Sequence, residues 1–526
     1  MAIIHIKRIA LFLISISLSC VAHAELTRLE ITSIEPYGTF LSGSYVILKG
    51  RVHGELSPSE NIPGLKQLQT NNYGMVEYSA NVVLIMPDEN GHSNGGLIID
   101  IPNRGRAYAQ ALYNAPRGLP FLSGTFAQGT GYLQDVGFST AEIYWELGQG
   151  AQLPSFIDAQ GEKQYVEGVG FAIVRDASNF FAHRAHDSEG NLNPFAGKIS
   201  RLLASGKSQT GRFLKTFLLN GFNMVGHERV FDGMHIFVSG AGLLPILQTG
   251  VGPESNGNNA PSFANPEMRG VHEEVLTIAE INKRVQARGE LPPKLILISS
   301  TTDYYSLRAS LGRTGASGTH DLPLPANVRM YDIAGASHVL LPIQNEDCKI
   351  PVATLDWTPV SRATLARLDQ WVINNTAPPP TTLLQLQLAQ NMPATLRAPK
   401  HLASAVIQTP RLDADGNAIG GVRLPDHAVP LGTNGGQNEP QTFTCSLAGS
   451  YIAFAKTKAE REAAHDTRPS IEERYKNQDD YVNQVRSASI KLMQAGFLLP
   501  DDAAVIIANA AANPIFGEVQ KDKNPR

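Results

Sequence analysis

The chain has 526 residues, 42% hydrophobic and 17% charged, with 44 Lys and Arg against 48 Asp and Glu for a net charge of −4. This balance excludes an intrinsically disordered chain, and the mixed charge without a basic run argues against a nucleic-acid partner. Length alone permits about three domains.

The opening residues MAIIHIKRIALFLISISLSCVAHAE place Lys7 and Arg8 before an apolar run from Ile9 to Leu18, then Ala22-His23-Ala24. This is the plan of a secretory signal peptide cleaved after Ala24. The alternatives are an uncleaved anchor, for which the run is short, or a lipoprotein anchor on Cys20, for which Ser17 is poorly suited. No later segment has about 18 uninterrupted apolar residues, so stable membrane insertion after cleavage is not expected and the protein should be periplasmic or secreted.

Three runs follow, LTRLEITSIE, SYVILKGRVHG and MVEYSANVVLIMP, rich in Val, Ile, Tyr and Thr and separated by turn residues; they read as an antiparallel opening to a sheet. GGLIIDIPNRG, GFSTAEIYWELGQG, AGKISRLLASGKS, GMHIFVSGAG, PKLILISSTTD and NVRMYDIAGASH are short apolar runs suited to strands covered on both faces. Helical stretches alternate with them. QTGRFLKTFLLNGF places Phe213, Phe217 and Leu218 on one side; PEMRGVHEEVLTIAEINKRVQARG is long and amphipathic; VSRATLARLDQWVINN spaces Leu365, Leu368 and Trp371 as a helix does. The alternation predicts an α/β architecture with a mostly parallel sheet and helices on both faces.

The connections 148–197 and 241–292 are too long for simple loops and are expected as insertions forming a cap over a pocket. Past Pro380 the pattern weakens, then SIEERYKNQDDYVNQVRSASIKLMQAGFLL reads as helix. Without an obvious core of its own, 381–526 is expected to be an extension packed on a catalytic core at 25–380. Asp413-x-Asp415-Gly416-Asn417 has its glycine at the fourth place and Leu424 where a calcium loop needs glutamate, so it reads as a tight turn. His183 and His186 lack further ligands for a zinc pattern, and no metal or cofactor is expected. Cys348 and Cys445 remain after the leader is removed; they form one disulfide or two buried thiols, and spacing does not decide.

The stretch ASGKSQTGRFL poses a choice of chemistry. A phosphate loop needs a glycine five residues before its Gly-Lys-Ser, and Arg201 stands there. A nucleophile elbow needs a strand, a serine on a sharp turn flanked by small residues, and a helix. Gly206, Ser208, Thr210 and Gly211 fit that plan, with Thr210 in place of the usual second glycine. The plain alternative is a serine capping the helix.

A serine hydroxyl needs a base, and in this strand order an acid and a histidine follow it, each after a later strand. Asp303 and His338 occupy those places. Of the rivals, Asp332 lies within a strand run, Asp232 precedes a strand, His320 sits in a Gly/Ser loop, and His235 lies inside an apolar strand. Oxyanion donors are expected from the Gln209 main-chain N–H and from Arg104 or Gly105 in the turn after GGLIIDIPN. Trp145 and Arg212 are the candidate pocket residues, each with a structural alternative, a core ring and an ion pair.

GKSQTGRFL, IPNRGRA, IYWELGQG and MYDIAGASHV, with WTPVSRATLARLDQWVINNTAPP and DADGNAIGGVRLPDHAVP, resemble a family of exported bacterial α/β-hydrolase domain proteins across nearly all of the chain beyond the leader. The resemblance implies an α/β-hydrolase fold and serine-esterase chemistry, with Ser208 and His338 as nucleophile and base. The family often carries a glutamate two places before its acid, where this chain has Thr301. The expected activity is cleavage of a small-molecule carboxylic ester through an acyl-enzyme on Ser208. The alternatives are acyl transfer by the same residues, or a noncatalytic binding protein that kept the fold. The substrate's acid and alcohol parts and the oligomeric state are not legible.

Overall fold

Strands β1 (Glu25–Phe40), β2 (Gly43–Leu56) and β3 (Val76–Pro87) form an antiparallel meander. Their β-branched and aromatic residues fit a pleated surface, and β1 is bent by three register shifts. The computed structural model describes residues 25–116, 129–244, 246, 248–249, 276–316, 318–340, 347–389, 405–440 and 442–516. The leader at 1–24 lies outside the described residues, as do much of the 241–292 connection and the first part of the amphipathic stretch within it.

The meander joins six parallel strands: β4 (Gly96–Asp100), β5 (Ser139–Ile143), β6 (Arg201–Lys207), β7 (Gly233–Phe237), β8 (Lys294–Ser300) and β9 (Val328–Ile333). The sheet order is β1-β2-β3-β5-β4-β6-β7-β8-β9, with β3 antiparallel to β5 and the later pairs parallel. All six parallel strands therefore end on one rim, where residues distant in sequence can meet.

Successive residues of these strands feed two cores. Leu97, Ile99, Leu202, Ala204, Met234, Ile236, Leu295 and Leu297 belong to one; Ile98, Leu203, Phe237, Ile296, Ile298, Tyr331 and Ile333 belong to the other. This period of two explains why the runs read as continuous apolar sequence. Helices α1 (Gly168–His183), α2 (Gln209–Leu219) and α3 (Ile278–Ala287) contribute Phe171, Phe213, Phe217 and Ile281 to the first core. The short α4 (Thr301–Ser306) follows β8. Helix α5 (Thr358–Asn374) contributes Leu365, Leu368 and Trp371 to the second core.

Most of the stretch expected as the insertion 148–197 is structured differently. Helix α1 buries Val169, Phe171, Ile173 and Phe181 against the sheet, as a crossover helix between β5 and β6 must. A small hairpin, Ser155–Ile157 with Lys163–Tyr165, stands before it. Helix α1 ends at His183, so His186 lies beyond it.

The C-terminal stretch shares the second core. Helices α6 (Gln478–Gln494) and α7 (Pro500–Ala512) and their approach segment supply Phe454, Tyr475, Val485, Phe497 and Ile506. The helix read across SIEERYK…FLL is in fact broken, with Tyr475 extended between Ile471–Arg474 and α6, and α7 lacked a periodic signal. Residues from the same stretch cap the open edge of β9: Thr382 N–H donates to Met330 O at 3.0 Å and Val422 N–H to Asp332 O at 2.7 Å. Asp413 accepts from the main-chain N–H of Asp415 and Asn417, both at 2.9 Å, closing the expected turn.

Candidate active site

Ser208 stands between β6 and α2 with φ 58° and ψ −112°, a conformation costly for any residue other than glycine. Its surroundings hold it there. Its main-chain N–H donates to Phe237 O at 2.8 Å. A Cβ on Gly206 would stand 2.5 Å from the Thr210 carbonyl, and one on Gly211 2.8 Å from Ser239 Cβ, so helix and strands approach as closely as an elbow requires. Thr210, which departs from the usual glycine, is fully buried. Its hydroxyl donates to Lys207 O at 3.1 Å and accepts from Lys207 N–H at 3.0 Å, pinning the residue before the serine. Thr210→Ala leaves that buried N–H without a partner and is expected to cost about 1–3 kcal/mol, measurable as a lower urea midpoint.

His338 Nε2 lies 2.9 Å from Ser208 Oγ, and His338 Nδ1 lies 2.6 Å from Asp303 Oδ1. Asp303 is the third residue of α4. Its other carboxylate oxygen accepts from Ser300 N–H at 2.7 Å, while Ser300 Oγ accepts from Asp303 N–H at 3.2 Å. This capping box fixes the carboxylate as it starts the helix. Burial holds the His338 imidazole below its usual range. Asp303 pulls it upward, and the Lys207 and Arg212 charges press it down again. The downward shift favours the neutral ring, the form able to accept a proton.

The loop carrying His338 is held from three directions. Thr301 Oγ1, where the resembled family often has glutamate, donates to Ile333 O at 3.1 Å and accepts from Gly335 N–H at 2.8 Å. The Trp357 indole donates to Ser337 O at 3.1 Å. The Leu447 carbonyl accepts from the main-chain N–H of His338 at 3.1 Å and of Val339 at 3.2 Å. Leu447 lies on the short helix Phe443–Ala448, which Cys445 joins to Cys348 through a disulfide with a Cα–Cα distance of 5.5 Å. The two alternatives for the cysteines thus resolve to the bonded one. Closing a loop of 97 residues stabilises by about 4.7 kcal/mol in the chain-entropy model.

Beside the serine, residues 103–106 form a tight turn: Asn103 and Arg106 exchange main-chain hydrogen bonds of 2.8 and 3.1 Å. Arg104 and Gly105 sit at its corners with φ 54° and 73°. Asn103 Nδ2 donates to Lys207 O at 2.8 Å, locking the turn to the elbow. Glu146, three residues past the end of β5, accepts from Gln209 Nε2 at 2.9 Å and from the Arg104 main-chain N–H. Burial raises its carboxyl above the usual range, and these two donors pull it back. Gly105 faces the Gln149 side chain.

Trp145 is core, not pocket wall. Its indole donates to Pro102 O at 2.9 Å, its ring packs 4.6 Å from Phe213, and it is 1% exposed. A ring this large at a strand end fills the gap under the 103–106 turn and has no surface left for a substrate. Arg212 is buried one turn after Ser208, and its charge is felt at both His338 and Lys215. Lys207 is buried with its ammonium 4.8 Å from the Tyr108 ring centroid, and burial pushes it down to about 8.

The rival acids and bases have structural work. Asp332 accepts from Tyr304 Oη at 2.7 Å and Arg313 Nη1 at 3.0 Å. Asp232 pairs with Arg229 at 2.5 Å. His235 is satisfied by Tyr113 Oη at 2.9 Å and Thr364 Oγ1 at 3.1 Å. His320 is exposed, beside Thr319. Sequence reasoning missed Glu146, Asn103, Thr301 and the Leu447 carbonyl as supports. Glu146 had a signal, a polar residue just past a buried strand on the rim side; a main-chain carbonyl has none.

Among the described residues no group of three or more His, Cys, Asp or Glu side chains is placed to hold a metal ion. No helix among them is long and apolar enough to cross a membrane.

Solved structures similar to the chain include a rice cell wall degrading esterase, LipA, from Xanthomonas oryzae, at 12% identity and a TM-score of 0.23. That likeness covers 40% of this chain and 49% of LipA, so the chain spans about half of LipA's length. A promiscuous CE15 esterase from a marine bacterial metagenome matches at 12% identity and a TM-score of 0.27, over 60% of this chain and 84% of its own. A thermostable esterase from Pseudomonas putida ECU1011 matches at 11% and 0.21, over 44% and 61%. No curated protein matches the sequence. The family described as "Alpha/beta hydrolase domain" matches residues 61–508, most of the sheet and of the C-terminal stretch. With the strand order above, this match makes the chain a member of the α/β-hydrolase domain family.

Proposed function

We propose that the protein is a serine hydrolase that cleaves carboxylic esters through an acyl-enzyme on Ser208. The observation that carries this reading is the chain of contacts Ser208 Oγ, His338 Nε2 at 2.9 Å, His338 Nδ1, Asp303 Oδ1 at 2.6 Å, on a strained strand-to-helix turn. In this reading His338 takes the hydroxyl proton as Ser208 attacks the ester carbonyl, and Asp303 holds the ring tautomer and stabilises the imidazolium. The tetrahedral oxyanion faces the Gln209 main-chain N–H at the start of α2, one of the donors a helix leaves unpaired. The Arg104 amide is drawn to Glu146, so the second donor is assigned to Gly105. His338 returns the proton to the leaving alcohol, then activates the water that releases the acid.

The chain is read as exported, with a leader at 1–24, a core at 25–380 and an extension at 381–526 packed on it. The Cys348–Cys445 bond suits an oxidising compartment, and the shared second core supports the packing. The test is labelling with a fluorophosphonate probe alongside a panel of short-chain, aromatic, lactone and sugar esters. Labelling confined to Ser208 and turnover of at least one ester are expected; an unlabelled, folded protein would sink the reading in favour of a binding protein.

The buried imidazole sets the pH profile. The base works only when neutral, so kcat/KM falls as pH drops through the His338 pKa. Burial lowers that pKa, placing the acid limb below pH 6.5. The Lys207 charge lowers it further, so Lys207→Met should move the limb to higher pH. A pH series on both proteins checks the sign.

A further inference from the structure

At the opposite rim of the sheet, where β6, β8 and β9 begin, lies a cavity of about 1040 Å³. Its walls include Arg201, Arg229, Lys283, Lys294 and Arg329, against Asp232 as acid, with Trp371 beneath. Two of the charges are cancelled locally. Arg201 is paired with Asp369, and Arg229 with Asp232 at 2.5 Å. Among the described residues Lys283, Lys294 and Arg329 have no carboxylate partner.

Two of those three are held in place. Lys294 Nζ and the Arg329 guanidinium each stand 5.0 Å from the centroid of the Trp371 ring. Lys294 Nζ donates to Asn375 Oδ1 at 2.7 Å, and Arg329 Nη1 donates to Val328 O at 2.9 Å. Stacking on one buried indole fixes two like charges side by side. The Nε–H groups of Arg229 and Arg329 are buried and lack an acceptor among the described residues. Burial, with Arg229 and Arg329 nearby, also holds the Lys294 ammonium below its usual range. A cleft lined mostly by one sign of charge focuses its field and draws an anion into the space between the cations.

We propose that this cavity is a binding site for a phosphate group, separate from the ester-cleaving rim. A tetrahedral dianion can accept from the Arg329 guanidinium fork and from the Lys283 and Lys294 ammonium groups, and its two negative charges offset most of their three positive ones. The site is independent of the triad reading: β8 alone, seven residues long, separates the two rims by about 20 Å.

The test is calorimetric titration of the full chain at fixed ionic strength set with chloride. The ligands are inorganic phosphate and glucose 6-phosphate, with Tm followed in parallel. Expected is saturable one-to-one binding with a Kd of about 1 mM or below for at least one of them, and a matching rise in Tm. Binding of both means the group itself is recognised; binding of glucose 6-phosphate alone means the site takes a phosphate ester. Lys283→Gln, on the exposed side of α3, should weaken binding about tenfold without altering the fold. Lys294→Met with Arg329→Met should abolish it while fluorophosphonate labelling of Ser208 stays as in the parent. No binding of either ligand beyond the chloride control overturns the proposal, as does binding unchanged in the variants.

Discussion

Ser208→Ala is expected to lower kcat for any ester the protein turns over by about ten-thousand-fold or more, and to abolish fluorophosphonate labelling. The hydroxyl oxygen is the atom that forms the acyl bond in the proposed mechanism, and no neighbouring side chain on α2 can replace it. The Gln209 amide donates to Glu146, and the Thr210 hydroxyl is held by the Lys207 main chain. The substitution keeps the Cβ and hence the backbone geometry of the elbow, so Tm should stay close to that of the parent. A variant that retains parent-level turnover would remove Ser208 from the mechanism. A variant that unfolds would leave the comparison to the labelling pattern of the parent, which identifies the reactive residue by itself.

Asp303→Asn should cost about ten-thousand-fold in kcat with little change in fold. The size of the effect comes from the tautomer. The carboxylate accepts from Nδ1–H, which leaves Nε2 bare to take the serine proton. An amide nitrogen turned toward Nδ1 would donate instead, moving the ring proton to Nε2, where it confronts the hydroxyl it should deprotonate. The capping role is less sensitive, because the amide oxygen can still accept from Ser300 N–H in place of the carboxylate. A loss of kcat with an unchanged urea midpoint separates the catalytic role from the structural one. Parallel losses of both would assign Asp303 to the capping box alone.

Much of the sheet was legible because its strands carry their environment on both faces. Runs such as LLAS in β6 and LILIS in β8 have no polar side to give, so burial by two layers of helices follows from composition. The meeting of Ser208, Asp303 and His338 was legible for a related reason: each lies within a few residues of the end of such a run, and parallel strands deliver their C-terminal ends to one rim. Helix α1 was hidden because Gly168 and Gly170 open it and its apolar face is nearly continuous, which reads as neither helix nor strand. Trp145 could not be assigned from sequence, since a ring at a strand end fits a pocket wall as well as a core; the Phe171 and Phe213 rings that bury it lie 26 and 68 positions away. Thr210 looked like a defect in a motif and is a tie between the strand and the helix, a role that only the Lys207 backbone reveals.

The loop bearing His338 leans on the carbonyl of Leu447, more than a hundred positions further along the polypeptide and clamped by a covalent bond back to Cys348. A chain that stops short of Leu447 therefore lacks one of the three supports of this loop. In the proposed mechanism a chain cut before Leu447 still carries Ser208, Asp303 and His338 but lacks this brace, so it is expected to turn esters over more slowly than the full chain.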